Sequence, residues 1–320
     1  MKELLPLARL RALVPPLAAA SYKGHAGKIG VLGGCAEYTG APFYAALSAL
    51  KIGADLSHVF CDKEAAVPIK SYSPELIVHG CLRAGETIDP AGCAEQVESV
   101  CKWFPALTAL VVGPGLGRDP TLQSVAEQVV ERAIAASLPC VLDADGLAMV
   151  LRRPSLVKGS RWTVLTPNKP EMERLAALFA PTTPAEATVA AAEEEATQVQ
   201  RIARELGGPT LVRKGACDRI SDGEALLENV EPGCLKRSGG QGDVLAGSIA
   251  TMLSWARGAE LGGRLPPDAP PPPPLAAYAG CLLTRRFSAA AFAKHRRAMT
   301  APDVIEAIGP VFDAFYTGID

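Results

Sequence analysis

The chain predicts an α/β fold, a mostly parallel central sheet flanked by helices on both faces. Three observations predict it. Short, continuous apolar runs rich in Val, Leu and Ile recur along the 320 residues, as strands buried on both faces require. The runs close on Gly, Asp or Asn. Helical patterns fill the stretches between them, and that alternation is the pattern of a doubly wound sheet.

In order, the strands are read at 28–32, closing on Gly33-Gly34; 56–61, closing on Asp62; a short 76–79; 109–112, closing on Gly113-Pro114-Gly115-Leu116-Gly117; 140–142, closing on Asp143; 162–165, closing on Thr166-Pro167-Asn168; and 210–212, leading to Lys214-Gly215. Helices are expected over 42–53, 120–137, 170–179, 186–206, 243–257 and 275–293. Pro42 suits a first helical position, where a missing N–H is harmless. Residues 183–200 read as a solvated helix with Glu193–Glu195 on its exposed face. Residues 266–274 read as a stiff surface loop of polyproline type, a tolerated insertion. No repeat or linker divides the chain, which reads as one domain, 1–320.

The totals narrow the function. A net charge of −2 argues against a nucleic-acid or membrane-surface partner, so anionic ligands must be held locally. Nine cysteines, an odd number with no CxxC pair, suit a reducing compartment in which Cys packs as a small apolar residue. The four histidines are scattered and suggest no zinc site. No apolar stretch is long enough to span a membrane. At the N-terminus, Leu4, Leu7, Leu10 and Val14 share a helical face that ends at Pro15-Pro16. The same segment, with Arg9 and Arg11 and a single acid, also reads as a mitochondrial leader; the helix is the preferred reading.

In such sheets ligands sit beyond the carboxyl ends of the strands, where the Gly, Asp and Asn residues fall. The most informative segment is Ser238-Gly239-Gly240-Gln241-Gly242-Asp243, which runs into an apolar helix. First-turn N–H groups lack helical partners and favour an anion, and glycine lets the backbone approach it. An acid beside a bound phosphate serves better as a base toward an attacking hydroxyl than as a cap. Gly33 to Pro42 brings Tyr38, Thr39, Gly40 and Ala41 to a strand-to-helix turn that could line a small-molecule pocket. Gly113 to Gly117 is either a close backbone approach to a ligand or a plain tight turn, and it lacks full GxGxxG spacing. Asn168 and Glu171 read as a capping box, a metal-facing pair, or both.

The ordered motifs GHAGKIGVLGG, YTGAP, KSYSPELIVH, VVGPGLGRD, VLDADGL, TPNKPEMERL, the Lys214-Gly215 pair and GGQGDVLAG span about Leu4 to Phe315. Together they resemble the ATP-dependent (S)-NAD(P)H-hydrate dehydratase family of the ribokinase-like superfamily, in its eukaryotic form. The resemblance implies ATP as co-substrate with Mg2+, hydrated NADH or NADPH as substrate, and Asp243 as the group at the substrate hydroxyl. It implies substrate contacts at Ala41, at Gly115 or Gly117, and along Asn168, Lys169, Pro170, Glu171, Met172, Glu173 and Arg174. It implies ATP contacts at Lys214, Gly215, Ala216, Cys217 and Asp218. The second ATP segment is Gly233, Cys234, Leu235, Lys236, Arg237, Ser238, Gly239, Gly240, Gln241 and Gly242. Glu171 and Asp145 are the candidate metal-side carboxylates. Met172 stands where Phe is common, and the Pro-rich segment is an addition. The alternative reading is a small-alcohol kinase of the same superfamily, of the hydroxymethylthiazole or hydroxymethylpyrimidine type. The compartment is expected to be the cytosol, with a mitochondrial form as the variant, and self-association is left open.

Overall fold

The computed structural model describes residues 5–85, 90–180 and 195–318. The expected sheet is present and larger than the sequence suggested. Seven strands run parallel: β1 (Lys28–Leu32), β2 (Leu56–Asp62), β3 (Ile77–Leu82), β4 (Ala109–Val112), β5 (Cys140–Leu142), β6 (Thr163–Leu165) and β7 (Thr210–Arg213). An antiparallel hairpin, β8 (Asp218–Ser221) and β9 (Leu226–Asn229), extends the edge beyond β7. The strand order is β3-β2-β1-β4-β5-β6-β7-β8-β9. The chain thus winds one way from β1 and the other way from β4, which makes the gap between them the switch point.

The strands alternate between two cores. Ile29, Val31, Ala109, Val111, Val141, Val164 and Val212 face one apolar layer. Leu32, Leu110, Val112, Cys140, Leu142, Leu165 and Leu211 face the other. One layer is covered by α2 (Gly40–Ile52), α3 (Lys63–Tyr72) and four C-terminal helices: α9 (Gln241–Leu261), α10 (Pro272–His295), α11 (Ala301–Glu306) and α12 (Ile308–Thr317). The other is covered by α4 (Pro90–Cys101), α5 (Pro120–Ala135), α6 (Asp145–Arg152), α7 (Lys169–Leu178) and α8 (Glu195–Leu206). Helix α9 is apolar on nearly every face because it lies between the sheet, α2 and α10.

Several expectations need correcting. Pro272, Pro273 and Pro274 are buried and form the first turn of α10, so the polyproline loop stops short of them. Their missing N–H groups would have had no helical partner there. Helices α3, α4, α6, α11 and α12 and strands β8 and β9 were not read from the sequence. Pro68 interrupts the α3 pattern, and β8 and β9 carry polar residues that break any apolar run. The N-terminal segment forms the short helix α1 (Leu7–Arg11), with Leu10 and Leu13 fully buried. It is built into the core: Leu5 N–H donates to the Tyr278 hydroxyl at 3.2 Å and Arg11 Nε to the Phe315 carbonyl at 2.5 Å. The expected helix over 186–206 is seen as α8, and residues 183–194 of that reading lie outside the described residues. All nine cysteines are free thiols; burial pushes Cys140 up to about 12, so it packs as an inert apolar group. Among the described residues no helix is long and apolar enough to cross a membrane.

Candidate active site

Two cavities open along the carboxyl edge of the parallel strands, and the first turn of α9 borders both. The larger, about 1140 Å³, is lined by Asp243, Ala41, Gly115 and Gly117 together with the ends of β1, β2, β3 and β5. The smaller, about 590 Å³, is lined by Gln241, Gly242, Ser238, Lys214, Gly215 and Arg237 among others. Successive residues of one helical turn therefore face different chambers, Gly242 toward one and Asp243 toward the other.

Local chemistry builds that turn. Gly240 is the N-cap of α9 with φ +89°, a left-handed conformation that favours glycine. A Cβ there would also lie 2.4 Å from the Ala301 Cβ. The Gln241 side chain donates to the Ser238 hydroxyl at 2.9 Å and the Lys236 carbonyl at 3.1 Å, which closes the loop on itself. The Gln241 and Gly242 amides, in the first turn of α9, have no helical carbonyl to bond. Gly113 permits a close approach between the ends of β4 and β5: with φ +118°, a Cβ there would lie 1.9 Å from the Asp143 carbonyl oxygen.

Beneath the turn lies a buried polar pillar. Asp143, 4% exposed, accepts from the Thr166 hydroxyl at 2.7 Å and from Lys214 Nζ at 2.9 Å, both on Oδ1. Burial alone would lower the Lys214 pKa, but Asp143, Glu171 and Asp243 hold it above the ordinary value. Asp243 is pushed from 3.8 up to about 7, first by burial and then by the Asp143 charge, with Lys214 pulling the other way. A carboxyl poised near neutrality matches the requirement for a general base working at neutral pH.

The other sequence-selected residues distribute unevenly. Asp145 lines the larger cavity, accepts from Gly117 N–H at 2.8 Å, and is raised in pKa by burial. Asn168 lines the smaller cavity, beside the segments matched to ATP. Asn168 and Glu171 form a reciprocal capping box on α7, at 3.0 and 2.8 Å. Met172 is 3% exposed in the core, while Lys169, Pro170, Glu173 and Arg174 are exposed; none of residues 169–174 lines either cavity. Ala216, Asp218, Gly233 and Cys234 line the smaller cavity. Cys217, Leu235, Lys236, Gly239 and Gly240 do not, and Leu235 is 89% exposed.

Sequence reasoning missed Asp143 as the anchor of Lys214, and it missed Arg285 entirely. From α10, Arg285 grips Asp218 with Nε and Nη2 at 2.6 and 2.7 Å and donates to the Gly215 carbonyl at 2.6 Å. It thereby ties the first ATP-matched segment to α10, and through the Glu231 carbonyl at 3.2 Å it also holds the chain just before the second. The available signal was the polar set Thr284, Arg285 and Ser288 at helical spacing inside an apolar helix, all lining the smaller cavity. Two histidines read as scattered also meet: parallel β2 and β3 bring His58 Nδ1 to 3.1 Å from His79 Nε2. Burial and His79 lower His58 to about 4.

A family model described as NAD(P)H-hydrate dehydratase matches residues 29–310. The chain belongs to the NAD(P)H-hydrate dehydratase family. It is 46% identical to the ATP-dependent (S)-NAD(P)H-hydrate dehydratase of Bos taurus, over 98% of this chain and 89% of that protein. Among solved structures it resembles a ribokinase-like superfamily protein of Enterococcus faecalis, with TM-score 0.71, 20% identity, and 97% and 95% of the two chains covered. It also resembles the Bacillus subtilis ADP/ATP-dependent NAD(P)H-hydrate dehydratase co-crystallized with ATP/Mg2+, with TM-score 0.66, 21% identity and 97% of each chain covered. The fold is thus ribokinase-like. Membership in the dehydratase family favours that activity over the alcohol-kinase alternative.

Proposed function

We propose that this chain repairs hydrated NADH and NADPH by ATP-dependent dehydration, yielding NAD(P)H, ADP and phosphate, and that residues 1–320 act as one catalytic domain. The observation that carries the reading is Asp243, near neutrality and directed into the larger cavity, one residue from the Gly242 wall of the smaller. Hydrated dinucleotide occupies the larger cavity and ATP the smaller, with the γ-phosphate at the α9 N-terminus between them. The Bos taurus and Bacillus subtilis names support both ligands.

The roles follow from position. Asp243 takes the proton of the ring hydroxyl as that oxygen bonds to the γ-phosphorus and the bond to ADP breaks. The Gln241 and Gly242 amides and Arg237 hold the charge that develops on the moving phosphoryl group. Losing one such preorganised donor costs roughly 3 kcal/mol of barrier. The ring nitrogen lone pair then expels orthophosphate. Loss of a proton from the neighbouring ring carbon restores the double bond of NAD(P)H. Phosphorylation is needed because hydroxide leaves poorly and phosphate leaves well.

Magnesium fits as an ion carried mainly by the nucleotide. No three metal-binding side chains cluster among the described residues, and magnesium commonly keeps its waters and takes one or two carboxylates plus phosphates. Asp143 Oδ2, bordering Gly242 and holding no hydrogen bond among the described residues, suits an approach through water better than Glu171, whose Oε2 caps α7. When bound, the ion neutralises phosphate charge. A cytosolic setting is in keeping with the free buried thiols.

The test is incubation of purified protein with hydrated NADH, ATP and magnesium. Recovery of the NADH absorbance with release of one orthophosphate per turnover supports dehydration. A stable phosphorylated alcohol, with no NADH recovered, identifies a kinase and refutes it.

A further inference from the structure

The larger cavity extends well past the reacting centre. Its walls come from the ends of β5, β4, β1, β2 and β3, which are consecutive in the sheet. Four strand spacings separate β5 from β3, about 19 Å at the usual spacing. A hydroxylated nicotinamide ring set at Asp243 fills only the β5 end. The remainder of a dinucleotide must run along the edge, with its pyrophosphate one riboside away, roughly two strand spacings, and its adenosine half beyond. That places the pyrophosphate at the switch point and the adenosine ribose near β2 and β3.

Three cations line this outer half: Arg118 after β4, Lys63 after β2 and Arg83 after β3. All three are exposed, and none is in an ion pair among the described residues. Acids line the cavity too: Asp145 accepts from Gly117 N–H, Glu37 accepts from the Cys35 thiol, and the Glu64 side chain carries no hydrogen bond among the described residues. Asp62 accepts from Ala84 N–H at 3.3 Å. Asp119 accepts from the N–H groups of Gly85, Thr121 and Leu122 at 2.9, 2.9 and 3.1 Å. Helices α3 and α5 also begin here, so their dipoles add positive potential. Three exposed cations facing a long groove, with Asp62 and Asp119 beside them bonded to backbone amides, make an anion rail.

We propose that Arg118 holds the pyrophosphate of the substrate and that Arg83 with Lys63 reads the 2′-phosphate that distinguishes hydrated NADPH from hydrated NADH. This rests on the hydrate-repair reading and gives the larger cavity a cofactor preference. Guanidinium is suited to phosphate because its fork of donors matches the phosphate oxygens.

The experiment measures kcat and KM of wild type, Arg83→Ala/Lys63→Ala and Arg118→Ala on three hydrates: those of NADPH, of NADH and of reduced nicotinamide mononucleotide, which lacks the adenosine half. The double variant should raise KM for hydrated NADPH roughly ten-fold or more, with kcat unchanged, and leave the other two substrates within about two-fold. Arg118→Ala should raise KM for both dinucleotides alike. Arg83→Lys should restore most of the NADPH preference lost in Arg83→Ala. Equal KM changes for all three hydrates, no change for hydrated NADPH, or a fall in kcat alone would overturn the assignment. Wild-type protein that turns over none of the three would defeat the hydrate reading itself.

Discussion

Replacing Asp243 by Asn removes a titratable carboxyl and changes almost no shape, which makes it the sharpest probe of the site. In the fold the carboxyl titrates at about 7 against an ordinary 3.8. At about 1.36 kcal/mol per unit, keeping it ionised at neutral pH costs at most about 4 kcal/mol, less whatever water at the cavity mouth recovers. The sign is fixed. Below about pH 4 the carboxyl is protonated in both folded and unfolded chains, and the substitution changes little. Between about pH 4 and 7 only the unfolded chain loses the proton, so the contribution of Asp243 to wild-type stability falls as pH rises. Above pH 7 the deficit is constant. Asp243→Asn should therefore match wild type near pH 4 and melt higher at pH 8. Unfolding entropy near 2.1 cal/mol/K per residue sets a ceiling of roughly 6 °C for a chain of this length. The same variant should lose turnover by roughly 10²–10⁴-fold, since an amide cannot take the hydroxyl proton. The assay pairs thermal midpoints from pH 4 to 8 at one scan rate with NADH recovery. Coincident midpoints at pH 8, or turnover within a few-fold of wild type, would refute the placement of a strained base at the α9 terminus.

Other expectations follow from the same geometry. Wild-type kcat/KM for the hydrate should decline as pH drops through about 7, because Asp243 then holds its proton; a profile flat from pH 6 to 8 would contradict this. Lys214→Met leaves Asp143 buried without its 2.9 Å partner, so it should destabilise by about 3–5 kcal/mol and move the acidic limb of that profile to higher pH; chemical denaturation and rate profiles read the two effects. Gly240→Ala forces a side chain into a left-handed backbone and onto Ala301, and should cost about 1–3 kcal/mol and weaken ATP more than hydrate. Arg285→Lys keeps the charge but breaks the paired contact with Asp218; KM for ATP should rise while KM for the hydrate stays put. Because His58 is held near 4 by burial, its own contribution to folding stability should decline as pH falls from about 6.5 toward 4, opposite in sign to that of Asp243, as the unfolded chain alone gains the proton. His58→Phe should flatten that decline in denaturant titrations.

What the sequence by itself determined were features encoded within a few neighbouring residues. Apolar runs such as Ala109–Val112 read as strands buried on both sides, and Gly240-Gln241-Gly242-Asp243 before an apolar helix reads as a glycine-rich turn with an acid in the first helical turn. Tertiary structure decided whatever depends on pairs distant in the chain. Nothing local joins Asp143 to Lys214, Arg285 to Asp218, or His58 to His79; parallel crossovers bring them together. Nor could local pattern reveal that Asn168 turns to the smaller cavity while Met172 packs into the core, since one helical turn separates two environments. The hairpin β8–β9 escaped for the same reason: its short polar strands are held by β7 and not by any hydrophobic period of their own. Local sequence sets backbone geometry and charge at each point, but proximity in space sets pKa values, cavity walls and the direction each side chain faces.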